Sequence, residues 1–389
     1  MYLAYTPEQE ELRRQLRAYF AALMTPAVEA EVAAGNTGGS HCLAAVRQMG
    51  RDGWLGIGWP REYGGQGRSL IEQFVFYDEA WRALAPIPAL TINAVAHTLM
   101  AFGTEAQKQF FLPRILRGEL HFAVGYTEPN AGTDLAALQT RATRDGDHWI
   151  INGQKLYTSL AAYADYIWLA ARTDPQAPKH KGISIFAVPT TAPGFSYSII
   201  HTLVSSGTTA TYYDNISVPH SALIGEVNKG WKLITNQLNY ERVAICPPGM
   251  VEQVYEDTVR WAQDSRLADG RRVIDQDWVR LNLARVYARL EYLRLLNWKV
   301  ASTPELNPAD ASATKVFGSE FFCEAYRQLL EVIGPAGYLR RDSPGAVLRG
   351  RLERAYQGTL FLTFGGGTNE IQRDLIALFG LGMPRVPRF

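Results

Sequence analysis

The sequence predicts a mostly α-helical protein with a central β domain. Apolar residues recur at helical spacing toward both ends of the 389-residue chain. β-Rich runs and their turn residues are confined to the stretch from about Phe122 to Val218. Because those runs are clustered and not interleaved with helices, the order is α–β–α and not a series of βαβ units.

Each element has its own signal. Thr6-Pro7-Glu8-Gln9 forms a capping box with proline at the first helical position. Leu12, Leu16, Tyr19, Phe20 and Leu23 follow on one helical face, so the first helix runs to about Met24. Gly35 to Gly39 is a break, and His41–Arg51 is helical again. Trp54–Gly65, dense in glycine and containing a proline, reads as a loop. Thr104-Glu-Ala-Gln107 repeats the capping box and starts a helix to about Leu116. Arg141–Gly153 then reads strand, Asp-Gly turn, strand. Tyr166–Ala170 and Ile183–Val188 are further strands around a polar loop, Thr173–Gly182, and Thr209–Val218 closes the β section. Helical period returns at Trp231. It runs through Leu238…Val259, then Trp278…Val300 (Leu281, Val286, Leu290, Leu293 and Leu296 on overlapping faces), then Ala309…Ile333, with a last segment after Gly367.

Composition excludes several functions. With 39 Lys and Arg against 38 Asp and Glu, the chain has no net positive field to gather nucleic acid or anionic lipid. At 47 % hydrophobic and 20 % charged residues it is globular, with a sizeable core. Cys42, Cys246 and Cys323 lie far apart, without CxxC or a nearby histidine, so neither a disulfide framework nor a cysteine zinc site is expected. The seven histidines lack i, i+4 pairing, so no metal site is expected. The first residues lack a basic start and a long apolar run, and no stretch reaches the ~18 apolar residues of a membrane span. The expectation is a cytoplasmic protein with no nucleic-acid or membrane partner.

Generic catalytic motifs are absent: there is no P-loop, HExxH, GxSxG or strand-to-helix glycine fingerprint. Two segments stand out instead. Tyr126-Thr-Glu-Pro-Asn-Ala-Gly-Thr-Asp134 is either a surface loop held by its own side chains or a loop whose backbone approaches a planar ligand. Phe364-Gly-Gly-Gly-Thr-Asn-Glu-Ile-Gln-Arg373 is either a flexible connection or a backbone clamp where a helix begins.

With Trp59-Pro-Arg-Glu-Tyr-Gly-Gly65, Gly103-Thr-Glu-Ala-Gln-Lys108 before Leu112-Pro113, and Ile151-Asn-Gly-Gln-Lys155, these segments stand in the order of the acyl-CoA dehydrogenase family, which the chain resembles over nearly its whole length. The resemblance implies three domains: N-terminal helical (1–121), β-barrel-like middle (122–228) and C-terminal four-helix bundle (229–389). It implies FAD-dependent α,β-dehydrogenation of an acyl-CoA thioester, with electron-transfer flavoprotein as electron acceptor. Main chain and hydroxyls from Val124 to Thr133, among them Tyr126, Thr127, Gly132 and Thr133, would then hold the flavin ring. Tyr157 would pack beside it, Thr158 and Ser159 would follow, with Ser159 donating toward flavin N5, and Thr368 would reach the cofactor from the C-terminal domain.

The chain also departs from the family pattern. The commonest catalytic glutamate position is Gly366 here, which can abstract nothing. A second position used by some members reads Asn239-Tyr-Glu-Arg-Val243, which makes Glu241 the expected base, with Tyr240, Arg242, Thr133 and Gly366 beside the substrate. Such a base must be ionised yet partly desolvated by substrate, so that its pKa rises toward that of the proton removed. The glycine run at 365–367 leaves volume for a bulky or α-branched acyl group. Family homotetramers complete each FAD site from a neighbour with Arg-x-x-Phe-Gly and Gln-x-x-Gly-Gly-x-Gly. Here Asp264–Arg272 lacks Phe-Gly, and Glu331-Val-Ile-Gly-Pro-Ala-Gly337 has Glu331 for glutamine and Pro335 for glycine. An acid would repel a pyrophosphate and proline lacks a donor. These departures, with Gly380-Leu-Gly-Met-Pro-Arg385, resemble the actinobacterial α2β2 dehydrogenases of steroid side chains and imply a second, sequence-different subunit. Two alternatives stay open: a non-catalytic assembly subunit, and an acyl-CoA oxidase-type flavoenzyme.

Overall fold

The computed structural model describes residues 3–203, 207–241, 246–303 and 307–385. Six helices come first: α1 (Pro7–Leu23), α2 (Pro26–Ala33), α3 (Ser40–Arg51), α4 (Leu70–Arg82), α5 (Ala96–Phe102) and α6 (Glu105–Leu116). Eight strands follow: β1 (Phe122–Gly125), β2 (Arg141–Asp145), β3 (His148–Lys155), β4 (Tyr166–Arg172), β5 (Ile183–Pro189), β6 (Phe195–Ile200), β7 (Thr208–Pro219) and β8 (Leu223–Ile224). The rest is helical: α7 (Gly230–Glu241), α8 (Gly249–Asp264), α9 (Asp277–Ser302), α10 (Pro308–Ile333), α11 (Arg351–Thr359) and α12 (Asn369–Leu375). The α–β–α succession is the one the sequence predicts. The chain forms two compact bodies, one of Met24–Arg68 and Pro86–Glu241, the other of Met1–Leu23, Ser69–Ala85 and Arg242–Phe389.

The first body holds the sheet, ordered β6-β7-β3-β2-β4-β5-β8, with β1 beside β4. The β2–β3 hairpin pairs Asp145 with His148, and its turn uses Gly146 at φ +55°, as the Asp-Gly signal requires. β1 is parallel to β4, Phe122 opposite Tyr166, and so carries the chain to one end of the sheet at Gly125. Trp149, Ile151, Ile167, Leu169, Phe186, Val188 and Tyr213 fill the core. Both halves of the Thr104–Gln107 capping box are present. The Gln107 amide also donates to the Ser221 and Leu223 carbonyls at 2.8 Å each, tying α6 to the last strand. The Trp54–Gly65 segment is irregular, as expected, but it is not superficial: Trp59 is buried and its indole donates to the Ile92 carbonyl at 3.0 Å.

In the second body, Leu12, Leu16 and Phe20 of α1 are buried, while Tyr19 and Leu23 are half-buried. α9 and α10 supply most of the core, with Val286, Leu290, Leu293, Phe322 and Leu329 inside. Leu281, grouped from the sequence with Val286, Leu290 and Leu293 on overlapping faces, is exposed; the buried stripe of α9 runs Val279, Leu283, Val286, Leu290, Leu293 and Asn297. The helical run expected through Leu238…Val259 is interrupted. α7 ends at Glu241 and α8 begins at Gly249, after Pro247-Pro248, which lack the donors a continuous helix needs.

Asp78 of α4 caps α8, its carboxylate accepting the Gly249 N–H at 2.6 Å. Its neighbour Glu79 takes Arg13 and Arg17, and Glu252 takes Arg82 and Arg294 at 2.5 and 2.7 Å. Burial, with repulsion from Glu252, pushes the Asp78 carboxyl up to about 7. Its unfolded value is about 3.9, so its stabilising contribution is complete below about pH 4 and is lost as pH rises through 7. Asp78→Asn keeps the capping oxygen and removes the ionisation. Thermal melts should show it raising Tm at pH 8 and leaving it nearly unchanged at pH 4; equal shifts at both pH values would overturn the assignment.

Candidate active site

In the sheet body, a Cβ at Gly125 would lie 3.0–3.2 Å from Ile167, Tyr213 and Leu169, so a residue without a side chain suits the exit from β1. The loop that follows is fastened at both ends by one buried ion pair. Lys155, at the end of β3, donates to Glu128 at 2.7 Å and to the Tyr126 carbonyl at 3.0 Å. Glu128 also accepts the N–H groups of Gln139 at 2.6 Å and Thr140 at 2.8 Å. Burial pushes the Lys155 ammonium down to about 8, against the pull of Glu128. Burial also opposes ionisation of Glu128, but Lys155 and the N–H donors hold its carboxyl below the usual range. The Tyr126 hydroxyl donates to Gln237 of α7 and accepts from the Trp168 indole, so it is committed to the scaffold. Val124 and Thr127 are half-buried, and the Thr127 carbonyl accepts the Leu156 N–H at 2.8 Å. Gly132 and Thr133 are exposed, and a Cβ on Gly132 would meet nothing within 4 Å.

After β3 the chain alternates sharply. Tyr157 is exposed at φ +57°, an unusual conformation for a bulky residue. Thr158 is buried: it pairs with Thr209 through the backbone, and its hydroxyl meets that of Thr211 at 3.2 Å. Ser159 is exposed again, its hydroxyl 3.4 Å from that of Thr208. The Thr158 anchor thus presents an aromatic face and a hydroxyl on either side of itself, while its own side chain is structural.

The other body carries the glycine loop. Gly366 and Gly367 have φ +69° and +92°, and a Cβ on Gly366 would meet nothing within 4 Å. Thr368 caps α12, its hydroxyl accepting the Ile371 N–H at 3.3 Å. Lys315 of α10 donates to the Gly367 carbonyl at 2.8 Å and to Asn369 at 2.7 Å. Among the described residues, the N–H groups of Gly366, Gly367 and Thr368 have no acceptor. The sheet body thus exposes the Tyr157 ring and the Ser159 hydroxyl, and the helical body, among the described residues, leaves the N–H groups at 366–368 without acceptors.

Glu241 and Tyr240 close α7, but their side chains, and Arg242 altogether, lie outside the described residues. Glu331 is exposed and accepts from Asn282 at 3.1 Å. The fastening residues Glu128, Lys155, Gln237, Lys315 and Asn369 were not singled out from the sequence. Lys155 did leave a signal, a lone basic residue at an inward position of a strand otherwise lined by Trp149 and Ile151.

The fold defines a mostly helical protein with a central sheet. Family models of the acyl-CoA dehydrogenase N-terminal, middle and C-terminal domains match residues 6–119, 123–215 and 228–380. The chain belongs to the acyl-CoA dehydrogenase family. It is 55 % identical over 404 residues to acyl-CoA dehydrogenase FadE26 of Mycobacterium tuberculosis, with 100 % of both chains covered. Among solved structures it resembles the ChsE4–ChsE5 complex of the same organism, at 56 % identity and TM-score 0.93 over 99 % of this chain and 100 % of that one. It likewise resembles the Tcur3481–Tcur3483 steroid ACAD, at 52 % identity and TM-score 0.94 with the same coverage.

Proposed function

We propose that this chain is the catalytic subunit of a heteromeric, FAD-dependent dehydrogenase acting on bulky or branched acyl-CoA thioesters, steroid side-chain esters foremost. The observation that carries this is the end-to-end likeness to a steroid ACAD and to a two-component complex, in a chain whose usual catalytic position is Gly366. The residues present fit a flavin: in one body the exposed Tyr157 ring and Ser159 hydroxyl suit a broad ring system with acceptor atoms, and in the other the unbonded N–H groups at 366–368 suit further acceptors. Bound there, FAD supplies the two-electron acceptor for the β-hydride. Val124, Tyr126 and Gly132 through main chain, and Thr127 and Thr133 through main chain and hydroxyls, would line its ring; Tyr157 would flank it, Thr158 would fix the turn, Ser159 would donate to it and Thr368 would touch it. Glu241 takes the α-proton, with Tyr240, Arg242, Thr133 and Gly366 around the acyl thioester. Donors fixed in advance toward the thioester oxygen make that proton acidic.

The domains follow as 1–121, 122–228 and 229–389. Glu331 and Pro335 leave the neighbour's half of the cofactor site to a different subunit, giving α2β2, with electron-transfer flavoprotein reoxidising the flavin. No helix of the described residues is long and apolar enough to cross a membrane, in keeping with work in the cytoplasm. The test is co-expression with a dehydrogenase-like partner. A yellow α2β2 complex should bleach anaerobically with a steroid side-chain CoA ester. An active, flavin-loaded homotetramer of this chain alone would remove the heteromer, and a flavin unmoved by any acyl-CoA would remove the reaction. Timing reoxidation in air with and without electron-transfer flavoprotein separates dehydrogenase from oxidase.

Substrate bulk has its own test. Gly366→Ala puts a methyl group into the open space at a left-handed φ, with a strain of about 1–2 kcal/mol. It should raise KM for a steroid side-chain ester more than for a straight-chain acyl-CoA; equal effects on both would separate the glycine from substrate choice.

A further inference from the structure

Lys315 is 2 % exposed, yet among the described residues no carboxylate lies within ion-pair distance of its ammonium. A buried charge without a counter-ion is unfavourable unless its hydrogen bonds are well made. Both of its acceptors are neutral: the Gly367 carbonyl at 2.8 Å and the Asn369 side-chain oxygen at 2.7 Å. Asn369 is itself fixed, donating to Ser319 at 3.0 Å and Glu320 at 3.1 Å. Among the described residues the preceding carbonyl, of Gly366, accepts from the Gln372 amide alone, at 3.4 Å, and that amide's oxygen finds no partner. The ammonium is thus the strong fastening behind the loop.

We propose that Lys315 is a positioning residue for dehydrogenation, holding and polarising the Gly367–Thr368 peptide so that its N–H is aimed at the reacting thioester and flavin. The carbonyl end of that peptide receives the ammonium, and its N–H end, on Thr368, has no acceptor among the described residues. Hydrogen bonds in series polarise one another, so a charge at the carbonyl makes the N–H a stronger donor. An amide or thioether in place of Lys315 would fill the same space without this effect. This rests on the proposed function, which turns the glycine loop toward the thioester.

The charge is also titratable. Burial lowers the Lys315 pKa, against the pull of Cys246 before α8, Glu370 on α12 and Glu320 on α10. The Glu320 carboxylate is shared with Arg373 at 2.7 Å. Neutralisation at alkaline pH therefore removes the polarisation while the packing stays.

The experiment uses the co-expressed, flavin-loaded complex with Lys315→Met and Lys315→Arg. Lys315→Met should lower kcat by roughly tenfold, with KM within about threefold and flavin content unchanged. Hydrogen exchange should rise in the peptide spanning Phe364–Glu370. Lys315→Arg should recover most of kcat and abolish the alkaline decline of the parent complex, since a guanidinium stays charged. A folded Lys315→Met complex with parental kcat and parental exchange would overturn the proposal, as would an alkaline decline unchanged in Lys315→Arg. If Lys315→Met does not assemble, the pH profile of Lys315→Arg decides alone. Should the parent complex dehydrogenate nothing, the functional assignment falls. Exchange in the loop then still reports whether Lys315 holds it, so the two failures are distinct.

Discussion

Glu241→Gln should lower acyl-CoA dehydrogenation by about 10²–10⁴-fold, the usual contribution of a positioned general base, with flavin content and assembly unchanged. The substitution keeps the shape of the side chain and removes only its ability to take a proton. Anaerobic flavin bleaching isolates that step, because it precedes any electron acceptor. Parental bleaching rates would take Glu241 out of the role and favour an assembly subunit whose partner supplies the base. The vacant position offers a complementary arm. A side chain at Gly366 would enter open space, so Gly366→Glu on the Glu241→Gln background should recover part of the rate for a slim substrate. The left-handed φ there, +69°, limits the recovery, since a residue with a Cβ is strained in that conformation by about 1–2 kcal/mol.

Local chemistry was readable from the sequence, and long-range pairing was not. The Thr6 and Thr104 caps, the Asp145-Gly146 turn and the buried stripe of α1 follow from contacts within a few residues, and they form as expected. β1 and β8 were not separated out, because each is short and pairs with a strand distant in sequence, and β6 is short and carries only a weak apolar pattern. Helical period carried the reading straight through Cys246–Pro248, where two prolines and a cap on Gly249 supplied by Asp78, 171 residues away, precede α8. The same distance problem hid the fastenings. Glu128 and Lys155 were visible as parts of motifs, but nothing in either segment says that the one neutralises the other. Gly366 was legible as a departure only against the family pattern, and so was Glu241.

Lys155→Met should destabilise the sheet body by about 3–5 kcal/mol, as should Glu128→Gln, because each leaves the opposite charge buried and unpaired. Lys155 is fully buried and Glu128 is 8 % exposed, so solvent relieves neither. Lys155→Met should fall at the lower end, since the Gln139 and Thr140 N–H groups remain on the carboxylate. Glu128→Gln leaves the ammonium with the Tyr126 carbonyl and a neutral amide, and belongs at the upper end. The double variant should lose much less than the sum, since it buries no charge, and urea unfolding of all four proteins reads this coupling directly. The ionised pair also sets an acid response. Glu128 has its folded pKa below the unfolded value, so its stabilisation is present above about pH 4.3 and is lost as pH falls through the folded value. That loss should be steeper in the parent than in Glu128→Gln. Because Lys155 holds the Tyr126 carbonyl and Glu128 the Gln139 and Thr140 N–H groups, the pair closes the Tyr126–Thr140 segment, and flavin content should fall in both single variants before the fold does. Additive losses in the double variant, or full flavin in a destabilised single one, would show that the pair holds neither the loop nor the cofactor.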